Sequence, residues 1–186
     1  MRTHHLVRLG LALGALTSAG CAKPTGENIP LDATKDCASG VVTIHYPRAF
    51  VATDPQPGLC AIEPNAESGF GAQTGLIVTV VEGPQGVDLD RAVAVFTQAY
   101  AQKPGWVPMT NEKKKCFKDI DGVEITGTLT EGTETVEMRI CSFLHAGRVL
   151  QITTSSAKDR DGALLARLRD AVELHELPAP ASSSSP

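Results

Sequence analysis

Residues 115–154 read KCFKDIDGVEITGTLTEGTETVEMRICSFLHAGRVLQITT, and this stretch decides the fold. It divides into runs of alternating apolar and polar residues: Lys115 to Ile120, Val123 to Leu129, Val136 to Leu144 and Arg148 to Thr154. Between the runs stand Asp121-Gly122, Glu131-Gly132 and Ala146-Gly147. Successive side chains of a strand point to opposite faces, so period two predicts strands with one face covered. Asp-Gly between such runs signals a hairpin, because both central residues of the favoured tight turn need positive φ. Three turns in series predict an antiparallel meander. Val123, Ile125 and Leu129 share one face of it, and Glu124, Thr126 and Thr128 form the more polar one.

Working outward, Val41 to Tyr46 and Leu76 to Val81 are β-branched runs closed by Pro47 and by Gly83-Pro84, and both read as strands. Cys60 to Ile62, between Pro57 and Pro64, reads as a short edge strand because proline lacks the amide that a central ladder needs. From Asp88 to Gln102 the period changes. Leu89, Ala92, Val93, Phe96, Ala99 and Tyr100 recur at three and four, Asp88 is the N-cap, and Pro104-Gly105 ends the helix. A second amphipathic helix is predicted from Asp159 to Val172, with Leu164, Leu165 and Leu168 on its stripe. The expected fold class is therefore α+β: an antiparallel β-sheet, a meander, flanked by two amphipathic helices.

A chain of 186 residues suits one such domain with tails. Arg2, His4, His5 and Arg8 precede an apolar run from Leu9 to Leu16, the layout of an export signal. The run is too short to span a hydrocarbon core about 30 Å thick. Residues 1–20 are thus read as a signal peptide, 21–36 as a flexible linker rich in Pro and Gly, 37–177 as a single globular domain and 178–186, all Pro, Ala, Ser and Leu-free, as a disordered tail. Removing residues 1–20 leaves 15 basic against 21 acidic residues, a net charge of −6. An acidic chain without a basic stripe excludes the counterion-release mode of nucleic-acid binding.

Ser18-Ala19-Gly20-Cys21 resembles the lipobox of bacterial lipoproteins, with Ser18 where the pattern usually has an aliphatic residue. The resemblance implies that the Cys21 sulfur carries diacylglycerol and that Cys21 is the mature N-terminus. Several acyl chains, at about 0.8 kcal/mol per buried methylene, would anchor the domain lastingly. Ala22, rather than Asp, after the cysteine implies the outer membrane in a cell with two membranes. The alternative is an ordinary secretory signal cut near Ala19 or Gly20, with Cys21 paired or free.

The order of elements, with VTIHYPRAF at 42–50, the helix over 88–102, IDGVEITGTL at 120–129 and GRVLQITTSS at 147–156, resembles the PsbP-like fold over residues 38 to 177. That superfamily includes an extrinsic protein of the oxygen-evolving photosystem and many small bacterial lipoproteins. Its members act mostly as non-enzymatic assembly or binding proteins, which is what the resemblance implies here. It carries over no functional residues.

Cys37, Cys60, Cys116 and Cys141 remain, an even number in a chain bound for an oxidising compartment, and disulfides are the natural reading. Loop length favours Cys37 with Cys60 and Cys116 with Cys141, each closing about 25 residues and stabilising by roughly 3 kcal/mol. Counting along the meander, however, puts Cys116 on the face of Ile125 and Cys141 on the other. The second bridge stays open, since a bulge would restore it. Structural zinc would need cysteines two to four residues apart, and none are, so no metal or other cofactor is expected.

No G-x-S-x-G elbow, H-E-x-x-H helix, Gly-Lys-Thr phosphate loop or C-x-x-C pair occurs. His45, His145 and His175 are read as isolated polar residues unless two or three converge with an acid. Gly69, Gly71 and Gly75, with Ser68 and Thr74, could cradle an anion but read first as a long connection. Lys113, Lys114 and Lys115 are solvated charges or a contact for anionic headgroups or an acidic partner. Trp106 reads as a core or rim plug rather than a stacking platform. The expected function is a non-enzymatic, membrane-anchored envelope lipoprotein that binds or helps assemble a protein partner. The alternative is a small-ligand carrier or enzyme with a cleft near residues 69–75.

Overall fold

Ten strands and two helices follow one another in the computed structural model, which describes residues 27–37, 40–71, 73–81, 88–157 and 161–176. The leader, Cys21 and the tail from 178 lie outside the described residues. The strands before the first helix are β1 (Ala33–Cys37), β2 (Val42–Tyr46), β3 (Phe50–Gln56), β4 (Leu59–Pro64) and β5 (Gly75–Val81). Helix α1 (Leu89–Ala101) leads to β6 (Trp106–Phe117), β7 (Ile120–Glu131), β8 (Glu134–His145) and β9 (Arg148–Ala157), and α2 (Gly162–Asp170) to β10 (Val172–Leu174). β1 begins inside the stretch read as linker.

The class is α+β, but the sheet is not a simple meander. Seven strands pair antiparallel in the order β3-β4-β5-β9-β8-β7-β6, and β1-β2-β10 form a second, three-stranded sheet. The meander of residues 106–157 is one half of the large sheet. β5 pairs along β9 from Gly75↔Ser155 to Val81↔Val149, so the hairpins of the N-terminal half extend the same sheet. β4 is consequently an inner strand between β3 and β5, not an edge: its prolines sit at or beyond its ends, where no ladder amide is lost.

The first hairpin of the meander turns earlier than Asp121-Gly122. Phe117 pairs with Ile120, so Lys118 and Asp119 make the turn, with Lys118 at φ +49°, and the register shifts between Lys115 and Phe117. Gly122 lies within β7, where an added Cβ would come 2.8 Å from the Cys116 sulfur. The moved turn shifts the register by an even number, and it is the one-residue bulge between Lys115 and Phe117 that flips the face of Cys116. It now shares the face of Cys141, and the two sulfurs are bonded, with Cα atoms 5.5 Å apart. A second disulfide joins Cys37 on β1 to Cys60 on β4, across the two sheets, with Cα atoms 5.7 Å apart.

The helices cover opposite faces of the large sheet. On one, α1 is capped by the Asp88 carboxylate, which accepts from the Asp90 amide at 3.0 Å, and it buries Ala92 and Val93 over Val123, Ile125 and Ile140. On the other, α2 inserts Leu164, Leu165 and Leu168 between β5, β9 and β2. There they meet Ile44, Ile62, Leu76, Leu150, Ile152 and the stacked pair Phe117 and Phe143, whose ring centroids are 5.1 Å apart. Burying a side chain of this size stabilises by about 1.5–3 kcal/mol, so this second core carries most of the fold.

Candidate functional site

A groove runs between α2 and the exposed end of the large sheet. Its floor is Thr126 of β7, Glu137 and Arg139 of β8, and Thr154 and Ser156 of β9; its wall is Leu165, Ala166 and Arg169 of α2, with Met109 of β6 at the rim. Its volume is about 420 Å³. Strand alternation explains the floor: the positions that supply Phe143, Ile152 and Leu150 to the dry core become Arg139, Thr154 and Ser156 two and four residues further along.

At the side of the groove lies a buried carboxylate. The Glu124 side chain is 4% exposed, with Oε1 2.5 Å from the Lys114 ammonium and Oε2 accepting from Nε of Arg139. Burial alone pushes the Glu124 carboxyl up, but the hydrogen bonds and charges of Lys114 and Arg139 outweigh it and hold the group below the usual glutamate value. In return, the hydrogen bond to Glu124 raises Lys114. Both carboxylate oxygens are engaged and the group stays ionised. Thr126 hydrogen-bonds Thr110 at 2.7 Å.

The residues singled out from the sequence go elsewhere, with one exception. Lys114 joins Glu124, while Lys113 pairs with Asp90 at 2.9 Å and Lys115 lies 3.9 Å from Asp119. The histidines gather at the small sheet without forming a cluster. His175 Nε2 is 2.9 Å from the Thr43 hydroxyl, His145 Nε2 is 3.2 Å from the His175 carbonyl oxygen, and His45 lies 3.2 Å from Glu173. Asp54 approaches the sulfurs of Cys37 and Cys60 within 4.8 Å, but those sulfurs are bonded to each other and Asp54 pairs with Lys35.

The 69–75 segment is tied down rather than poised over a cleft. Thr74 donates to Asp161 at 2.9 Å, Ser155 donates to the Gln73 carbonyl at 2.8 Å, and Phe70 packs on Phe50; none of these residues lines the α2 groove. Trp106 packs its indole on Gly127, where any Cβ would collide with the ring, and lies 5.2 Å from Tyr100 between centroids. It plugs the rim on the α1 face. Burial raises the Tyr100 hydroxyl above its usual range, against a hydrogen bond with Thr153 that lowers it.

Sequence reasoning missed Arg139, Thr154, Ser156 and Arg169 as one site. They come from three elements, and only the pairing of β8 with β9 and the crossing of α2 bring them together.

No protein-family model matches the sequence, and no curated protein matches it. Solved structures do. Cyanobacterial PsbP from Synechocystis sp. PCC 6803 superposes with a TM-score of 0.52 at 13% identity, covering 77% of this chain and 92% of that one. The Ran-binding protein Mog1p of Saccharomyces cerevisiae gives 0.52 at 11%, covering 77% and 95%. A Bacteroides thetaiotaomicron protein gives 0.53 at 8%, with 79% of this chain matched and only 50% of that chain spanned. At such identities the likeness speaks for architecture alone, and the architecture of this chain is PsbP/Mog1-like.

Proposed function

We propose that this protein is a non-enzymatic, membrane-anchored lipoprotein of the cell envelope that binds or helps assemble a protein partner. The observation that carries the reading is the state of Glu124. It is the buried acid beside the α2 groove, and its oxygens are both held by cations. A general acid or base needs a pKa near the working pH and a free proton site. Glu124 is driven the opposite way. The groove is thus equipped to hold a ligand rather than to move a proton.

Further support comes from the two disulfides, which suit an oxidising compartment, and from the leader-like residues before Cys21. One fold neighbour, Mog1p, is described as Ran-binding, and protein binding on this architecture is the precedent adopted here. The anchor is the acylated Cys21 thiol, with the outer membrane its place in a cell that has two.

Mass spectrometry of the protein from the membrane fraction tests the anchor: an N-terminal, acylated Cys21 is expected. A soluble protein retaining Met1 overturns it. Crosslinking in intact envelopes tests the partner, with a specific, saturable adduct as the expected result.

A further inference from the structure

We infer that a short tether holds the α2 side of the domain against the surface of the membrane that carries its lipid, and turns the α1 face away from that membrane. The inference rests on the acylated Cys21 proposed above and deepens it by naming the surface that meets the bilayer. The stretch expected to be a free linker is docked well before β1. Arg167 of α2 donates from Nη1 to the Glu27 carbonyl at 2.9 Å, and Leu31 packs on the core under α2. The Asp32 carboxylate lies 3.0 Å from Nε of Arg48 and accepts from the Arg48 amide at 3.2 Å.

Only the chain between Cys21 and Glu27 is then left as tether, and its six residue steps reach at most about 21 Å. Glu27 lies beside α2, and the large sheet separates α2 from α1. A helix is about 10 Å across and packed layers stand about 10 Å apart, so laying α1 on the bilayer would take the tether past about 25 Å of protein before it met a headgroup. The tether is too short for that. With α2 towards the bilayer, almost none of its length is needed. The surface of α2 suits a resting contact rather than insertion: its exposed positions are Gly162, Ala163, Ala166 and Asp170, with Arg167 and Arg169 half-buried among them, so no bulky apolar side chain is offered to the acyl chains. The α1 face, where Val95 is 60% exposed, is left to the surrounding compartment.

The test places fluorescent reporters on the two helices of the acylated, full-length protein, held in phosphatidylcholine vesicles in which a fraction of the headgroups carry a nitroxide quencher. Ala163 is exposed on α2 one turn from Arg167, and Val95 is exposed on α1. The tryptophan added by Ala163→Trp is expected to be quenched severalfold more than the one added by Val95→Trp, each measured against the wild type, whose one tryptophan is Trp106. Asp170→Trp, at the other end of α2, should behave like Ala163→Trp and replaces it if that variant melts below the wild type. A Gly-Ser spacer of about twenty residues inserted between Ala22 and Lys23 should bring the α1 and α2 reporters to equal quenching, because a flexible chain of that length lets the domain turn over. Equal quenching without the spacer, stronger quenching of Val95→Trp, or a contrast that survives the spacer overturns the inference. Flotation with the vesicles separates it from the parent reading: acylated protein that floats without any contrast sinks the orientation alone, and protein from native membranes that neither carries acyl chains nor floats sinks the anchor with it.

Discussion

The two faces of the large sheet are covered by one helix each, yet they are built differently. On the α1 face a single helix contributes Ala92 and Val93 to a thin apolar layer, and the aromatic pair Tyr100 and Trp106 closes the rim. On the α2 face the helix is wedged against both sheets, with two disulfides below it, and the same face then opens into a polar groove. The contrast teaches that a face locked at one end can tolerate a buried charge at the other. The thin face has no such reserve.

Substitutions can break or sharpen this contrast. The largest effect is expected from Phe143→Ala under α2, about 4 kcal/mol, because the ring is fully buried and stacked on Phe117. Trp106→Ala on the other face removes a larger ring that is only partly buried, and about half that loss is expected. Urea denaturation of both variants compares them directly; equal losses would erase the distinction between the faces. Next, replacing both cysteines of either bridge with alanine should cost about 3 kcal/mol, given loops of 23 and 25 residues. A lower urea midpoint with a steeper slope is the expected signature, because the unfolded chain without the bridge is less compact and exposes more surface.

Glu124→Gln comes third, at about 1.5–3 kcal/mol, the range for hydrogen bonds to charged groups. Its pH dependence has a definite sign. The folded-state pKa of Glu124 is lowered, so its stabilisation is complete above the pKa of the unfolded chain and is lost as pH falls through the folded value. The gap between wild type and Glu124→Gln should therefore be widest at neutral pH and close on acidification past the carboxylate range. A gap that widens with acid would refute the assignment. Smallest is Lys113→Ala, which breaks an exposed pair with Asp90 and should change stability by less than about 0.5 kcal/mol.

How much of this was legible depends on where each element draws its stability. α1 and the strands at 42–46 and 75–81 were readable because their periodicity is local and their caps or breakers stand beside them. The first hairpin was misread for the opposite reason. Asp121-Gly122 is the stronger local turn, but burying Phe117 beside Phe143 and bringing Cys116 to Cys141 take the turn at Lys118-Asp119 together with the bulge behind it, and tertiary packing prevails. β3 was missed because Asp54 and Pro55 interrupt its pattern, and β10 because three residues give no period.

The groove was hidden more thoroughly. Glu124 and Thr126 read as a polar face, and polar faces are ordinarily wet; nothing in a single strand says that a helix some forty residues later roofs part of it. Lys114 was noticed as one of three lysines, but its distinction from Lys113 and Lys115 is the face it points to, which the register alone decides.

The bridge between Cys37 and Cys60 has a mechanical consequence. β1 is held by one neighbour, β2, through a ladder running from Ala33↔Tyr46 to Cys37↔Val42. A tug on the chain from its N-terminal side would unzip that ladder one rung at a time. At Cys37 the peeling would stop, because the covalent link hands the load to β4, a strand gripped from both sides. A pull applied before Ala33 can thus release β1 and no more.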